Sequence, residues 1–142
     1  MSFKLLENNF LHKSIGYATP ASPLTIDESL SIKEAVTAMK TKNSSYCLVV
    51  GLDGKLVGIV SETDLIQKVI LEDIDVQERV ANIMIRSPKT AAVNATVSSV
   101  LNLMANGGYR HVPLVDKDNI PVGMISVKNI VTFIAKQLSL AE

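Results

Sequence analysis

The chain has 142 residues, and its 14 Lys+Arg balance its 14 Asp+Glu, so the formal net charge is zero. At 47% hydrophobic and 20% charged it has the composition of an ordinary globular protein, and its length fits one domain. The charge balance excludes a general field for a nucleic-acid backbone or an anionic membrane surface, and leaves room only for a local anion site. No run of 18 apolar residues occurs, so no segment is expected to span a membrane. The first residues, Met1 to Asn9, lack an apolar stretch of signal-peptide length. The single cysteine, Cys47, lies in the apolar run Tyr46 to Val50. It reads as a buried structural thiol in a reduced, cytoplasmic setting.

Residues 1–21 read as a lead-in. Phe3, Leu5, Leu6, Phe10 and Leu11 suggest a short helix or an arm against the body. A first repeat is expected over 22–72. It opens with the extended segment Ser22 to Ile26. Ser31-Ile32-Lys33-Glu34 then has the pattern of a capping box, and Ile32, Ala35, Val36 and Met39 follow at helical spacing. Two apolar runs, Tyr46 to Val50 and Leu56 to Val60, flank Asp53-Gly54, a strong hairpin signal. Gly58 to Asp64 then forms a corner. An apolar run ends at Ser61, a carboxylate follows at Asp64, and Leu65, Ile66, Val69 and Ile70 start a second helix that runs to about Glu72. Residues 73–86 are mixed and charged and are expected to form a connecting helix.

A second repeat is expected over 87–138, at a constant offset of 65 without gaps. Over 22–66 against 87–131 there are nine identities in 45 pairs, among them Ser22/Ser87, Pro23/Pro88, Asp53/Asp118, Gly58/Gly123 and Ser61/Ser126. The helix Thr96 to Asn106 carries Val97, Val100, Leu101 and Met104 on one face. The second corner ends at Ser126 and carries Asn129 where the first has Asp64, before Ile130, Val131, Phe133 and Ile134. An ungapped register with the same β-α-β-β-α order indicates two copies of one unit.

A strand end feeding a helix N-terminus presents unpaired N–H groups and the positive end of a dipole, which favours an anion. Ser61 adds a hydroxyl there, and Asp64 adds acceptors suited to a ribose diol. Ser-x-x-Asp is equally a helix cap, and the four residues alone leave both readings open.

The β-α-β-β-α order, the Pro-x-Thr entry and the Gly-h-h-Ser-x-x-Asp corner, all doubled, resemble a pair of CBS domains over roughly residues 20–138. The resemblance implies an α/β (α+β) fold of two repeats packed about a pseudo-two-fold axis. It also implies a regulatory module that holds an adenosyl ligand in the cleft between repeats. AMP, ADP or ATP is expected first, with S-adenosylmethionine behind them and no resident cofactor. By position the resemblance assigns Ser61 and Asp64 to the ligand, with Ser126 and Asn129 as the second, uncharged corner. It places Arg110, His111 and Lys128 toward the phosphate, and Ile26, Val60 and Met124 as aliphatic walls for adenine. It further implies a homodimer through helices, and an effector protein that reads the ligand state. Ser98, Ser99, Asn102 and Ala105 form an uncharged helix face suited to partial cover. A ligand-independent dimerisation or scaffold module is the alternative. No nucleophile–base–orienter set, metal cluster or phosphate-binding glycine loop is visible, so enzyme activity is not expected.

Overall fold

Asp53-Gly54 makes the tight turn that its sequence suggests, with Gly54 in the left-handed region at φ 81°. The structure is a computed structural model and describes residues 10–141, so the lead-in residues Phe3, Leu5 and Leu6 lie outside the described residues. The turn joins β2 (Tyr46–Val50) to β3 (Leu56–Ser61), which pair antiparallel from Tyr46↔Ser61 to Val50↔Leu56. β1 (Thr25–Asp27) lies parallel to β2, and β4 (Ile85–Arg86) pairs antiparallel with β3 at the far edge.

The first helix, α1 (Ile32–Thr41), starts at the capping box read in the sequence. The Glu34 N–H donates to Ser31 Oγ at 3.1 Å, and the Ser31 N–H donates to Glu34 Oε1 at 3.2 Å. Ile32, Ala35 and Met39 from this helix pack with Cys47, Val49, Val60, Val80 and Ile83 in one core. Burial pushes the Cys47 thiol up to about 12, so it stays protonated and unreactive at neutral pH.

After β3 the chain makes one α-helical turn, α2 (Glu62–Asp64), and continues as a π-helix over Leu65–Leu71. Of the expected stripe, Leu65 and Val69 pack against the core, while Ile66 and Ile70 are 53% and 70% exposed.

Residues 73–86 do not form the expected connecting helix. Asp73 turns the chain out of helical geometry at φ 55°. Asp75 then accepts the Gln77 N–H at 2.8 Å, a side-chain turn that competes with helix formation. A 3-10 turn at Val80–Asn82 and the strand β4 follow. Val80, Ile83 and Met84 are buried from this irregular path.

The second repeat supplies β5 (Ala91–Ala92), α3 (Val97–Gly107), β6 (His111–Val115), β7 (Pro121–Ser126) and α4 (Val127–Ala141). β5 is parallel to β6, and β7 completes a three-stranded sheet. Thr96 caps α3 by accepting the Ser99 N–H at 3.1 Å, and Gly108 at φ 69° ends it. Val97, Val100 and Met104 are buried as expected, with Leu101 packed beside them.

The lead-in belongs to this second core. Phe10, Ile15 and Ala18 are buried with Val97, Val112, Leu114, Ile125 and Phe133. Phe10 meets Phe133 edge to face, with ring centroids 5.6 Å apart. Ala21 exchanges two backbone hydrogen bonds with Met124, each 2.9 Å. The offset of 65 makes Ala21 the counterpart of Arg86, and Met124 the counterpart of Ile59. Each pre-repeat segment thus pairs with the sheet of the other repeat.

The described residues divide into two compact units. One holds those up to Ser22, Lys89–Lys117 and those from Val122 onward. The other holds Pro23–Pro88 with Asp118–Pro121. They are called here the Asn129 unit and the Asp64 unit. Asn119 takes the place of Gly54 at φ 64° and belongs to the Asp64 unit. Its side-chain amide donates to the Leu56 carbonyl at 3.1 Å, and its own carbonyl accepts the Leu56 N–H at 3.0 Å.

Candidate functional site

The first corner is built by β3 running into α2. Ser61 holds extended backbone angles as the cap residue, and the Asp64 N–H donates to its Oγ at 3.3 Å. In return Asp64 Oδ2 accepts the Ser61 N–H at 2.9 Å and the Ser61 hydroxyl at 3.0 Å. Asp64 is 6% exposed, and it is the one buried polar or charged residue among the described residues. Its second oxygen, Oδ1, lies 3.8 Å from Lys68 Nζ, which itself donates to the Ile83 carbonyl at 2.8 Å. One carboxylate oxygen is therefore committed to the cap, and the other faces a cation. Lys68 was missed in the sequence, although its i,i+4 spacing from Asp64 is a legible signal.

The second corner repeats this geometry with an amide. Asn129 Oδ1 accepts the Ser126 N–H at 3.0 Å and the Ser126 hydroxyl at 2.9 Å, and the Asn129 N–H donates to Ser126 Oγ at 3.1 Å. The oxygen is taken up by the cap, so the group left over is the NH2 donor rather than a second acceptor. The Val127 N–H donates to the Arg110 carbonyl at 3.0 Å, as the Glu62 N–H does to Ser45 in the first repeat. That bond fixes the entrance of β6 to the corner.

Of the expected phosphate-facing residues, Arg110 and Lys128 are exposed and His111 is half-buried, all in the Asn129 unit. Ser61 and Asp64 belong to the other unit. Lys128 and Asn129 line a cavity of about 520 Å³ together with Lys13, Tyr17, Thr132 and Lys136, whereas Arg110 and His111 do not. Lys128, Thr132 and Lys136 follow one another at i,i+4 along α4, a spacing visible in the sequence. Lys13 and Tyr17 join them through the fold of the lead-in. Ile26, Val60 and Met124, the expected adenine walls, are all buried core residues.

The imidazole of His111 is held below its ordinary value of 6.5, first by burial and then by the nearby Arg110 charge. At neutral pH it is therefore a neutral hydrogen-bonding group and not a third cation. Protonation favours the unfolded chain, where the histidine titrates normally. The stabilisation by neutral His111 is thus complete above about 6.5 and is lost as pH falls from there through the lowered value. Thermal unfolding between roughly pH 7 and pH 5 is expected to show this decline, and His111→Gln is expected to flatten it. A variant that loses stability as steeply as the parent would place the titration elsewhere.

Among the described residues, no cluster of three His, Cys, Asp or Glu is placed to hold a metal ion, and no helix is long and apolar enough to cross a membrane. A family model described as the CBS domain matches the chain twice, over residues 16–71 and 80–136. The chain belongs to the CBS-domain family. Its two CBS domains carry one Ser-x-x-Asp/Asn corner each, and the mixed α/β architecture is that of CBS-pair structures. The CBS domain protein PAE2072 of Pyrobaculum aerophilum, solved with AMP, superposes with a TM-score of 0.78 at 24% identity, over 90% of this chain and 98% of its own. A CBS domain pair solved with 5′-methylthioadenosine and S-adenosyl-L-methionine gives a TM-score of 0.72 at 28% identity, over 80% of this chain and 92% of its own. An uncharacterised 17.7 kDa protein of Acidianus ambivalens is 27% identical over 105 residues, which is 74% of this chain. The chain spans 63% of that relative, less than two thirds of its length.

Proposed function

We propose that this CBS pair is a regulatory module that binds an adenosyl compound at the Ser61–Asp64 corner. The observation that carries the reading is the buried Asp64, which keeps a charged oxygen outside its cap. Such an oxygen can accept the hydroxyl of a ribose. The CBS pair at 28% identity, solved with two adenosyl compounds, supports the ligand class. AMP, ADP and ATP are proposed first and S-adenosylmethionine second. Binding would favour one conformation over another only by its differential affinity, and an effector protein would read the result. We further propose a cytoplasmic homodimer. The α3 residues Ser99, Asn102 and Ala105 are exposed and uncharged, as a helix contributed to such an interface would be.

The test compares the parent with Asp64→Asn in thermal-shift titrations against AMP, ADP, ATP and S-adenosylmethionine. Asparagine keeps the cap, as Asn129 does at the other corner, and removes only the charge and one acceptor. The two free proteins are expected to melt within a few degrees of each other. A ligand at 100 times its dissociation constant should add about 2.7 kcal/mol to the parent and much less to the variant. Light scattering during the same titration reads the dimer and any change on binding. Equal shifts in both proteins would remove Asp64 from the site. No shift with any of the four, in protein shown to be ligand-free, would favour the scaffold reading, in which both corners are caps and nothing more.

A further inference from the structure

We propose that Lys68 is a specificity-determining residue of the Asp64 corner, where its ammonium and the Asp64 carboxylate together read one sugar hydroxyl. This role rests on the adenosyl reading of Asp64, and it adds the group that makes the site demand a hydroxyl.

The two oxygens of Asp64 differ. Oδ2 accepts the Ser61 N–H and the Ser61 hydroxyl, at 2.9 and 3.0 Å. Oδ1 has the Lys68 ammonium 3.8 Å away, beyond hydrogen-bond length. Yet among the described residues no enclosed side-chain oxygen lacks a hydrogen-bond partner. Oδ1 is therefore reached by solvent, although Asp64 as a whole is buried. The carboxylate has one oxygen locked in the cap and one that a ligand can reach. The ammonium is held beside this opening. It donates to the Ile83 carbonyl at 2.8 Å, which occupies one of its three N–H groups. Ile83 is buried in the core of the same unit, so its carbonyl is a fixed anchor. The Lys68 side chain is still 31% exposed, which leaves its other donors within reach of a ligand.

A separation of 3.8 Å lets one hydroxyl oxygen stand within hydrogen-bond length of both Oδ1 and Nζ. Such a hydroxyl donates to the carboxylate and accepts from the ammonium. Only a group that is donor and acceptor at one atom satisfies both. A ribose hydroxyl is such a group, and the CH2 of a deoxyribose is not. The cap itself does not need this cation. At the offset of 65 the counterpart of Lys68 is Phe133, which is buried in the other core. The Asn129 corner nevertheless closes the same three hydrogen bonds with Ser126. A partly exposed pair at i,i+4 also adds little to stability. The ammonium beside Oδ1 is thus a feature of one corner of the two, the corner whose carboxylate has an oxygen to offer.

Calorimetric titrations test this with AMP and ATP, each beside its 2′-deoxy and 3′-deoxy analogues. The proteins are the whole chain, Lys68→Met, Lys68→Arg and Asp64→Asn. Methionine keeps the unbranched stem and removes the ammonium, whereas arginine keeps a cation. The parent should prefer the ribonucleotide over one of its two deoxy analogues by about tenfold or more, the effect of a hydrogen bond to a charged group. In Lys68→Met the ribonucleotide should weaken by a similar factor. The disfavoured analogue, which lacks the shared hydroxyl, should bind the variant as it binds the parent. Lys68→Arg should keep most of the preference. The preference is a ratio read within each protein, so a lower melting temperature from the lost Ile83 bond does not imitate the result. Equal weakening of all the nucleotides in Lys68→Met would give Lys68 a merely structural role and overturn the proposal, as would an unchanged preference. Binding lost in Asp64→Asn but indifferent to Lys68→Met would leave the adenosyl reading standing and overturn this one. No binding of either nucleotide to ligand-free parent would overturn it together with the nucleotide reading of Asp64.

Discussion

Phe10→Ala is expected to cost about 3–5 kcal/mol, the range for emptying a large aromatic site in a packed core. Phe10 is fully buried, and its ring meets Phe133 of α4 edge to face. No neighbouring segment is free to collapse into the space, because Ile15 and Ala18 on the same lead-in are pinned beside it. Their backbone is fixed as well. The Ile15 N–H donates to the Ala95 carbonyl at 2.7 Å, and the Val97 N–H donates to the Lys13 carbonyl at 2.8 Å. Urea unfolding of the variant measures the loss. A change below about 1 kcal/mol would mean that the lead-in is an ornament on this unit and not part of its core.

Gly58→Ala is expected to destabilise by about 1–3 kcal/mol, the cost of overpacking, while its counterpart Gly123→Ala costs much less. Both glycines stand at the same place in their repeats, three residues before the corner serine. At Gly58 a Cβ would come within 2.7 Å of Met84 Cγ and 3.1 Å of the Ile85 carbonyl. Met84 is itself buried, and Ile85 is held in β4 against β3, so neither can retreat freely. At Gly123 the nearest atoms, on Leu114 and Pro20, are 3.5 Å away, which is ordinary contact. Parallel thermal melts decide the matter. Equal losses would show that the corner needs glycine for its backbone rather than for the approach of β4.

The repeat, the hairpins and the caps were legible because each rests on local chemistry. Ser31 with Glu34, Ser61 with Asp64 and the Asp53-Gly54 turn all act within four residues. What escaped the sequence depends on partners far along the chain. Residues 73–86 carry apolar positions that suit a helix, but Val80, Ile83 and Met84 are buried through turns, and the Asp75 side chain takes the backbone elsewhere. Asn119 adopts the conformation given to glycine in the first repeat, and its exchange with Leu56 has no local signature. The capping role of Asp64 could be read from spacing, while its burial and its Lys68 neighbour needed the fold. The cavity lysines on α4 are regularly spaced, yet nothing in the sequence announces that Lys13 would line the same cavity.

The crossing of the pre-repeat segments sets an order of events during synthesis. Residues 23–88 emerge as one continuous stretch and hold most of the Asp64 unit, lacking only the short piece at 118–121. The Asn129 unit has no such early start. Phe10 and Ile15 leave the ribosome long before Phe133, and Ala21 long before its partner Met124. These apolar side chains stay uncovered until the second repeat has been made. A nascent chain halted before α3 would therefore carry one nearly finished unit and an exposed lead-in. That exposed segment is the natural target for a chaperone or a protease.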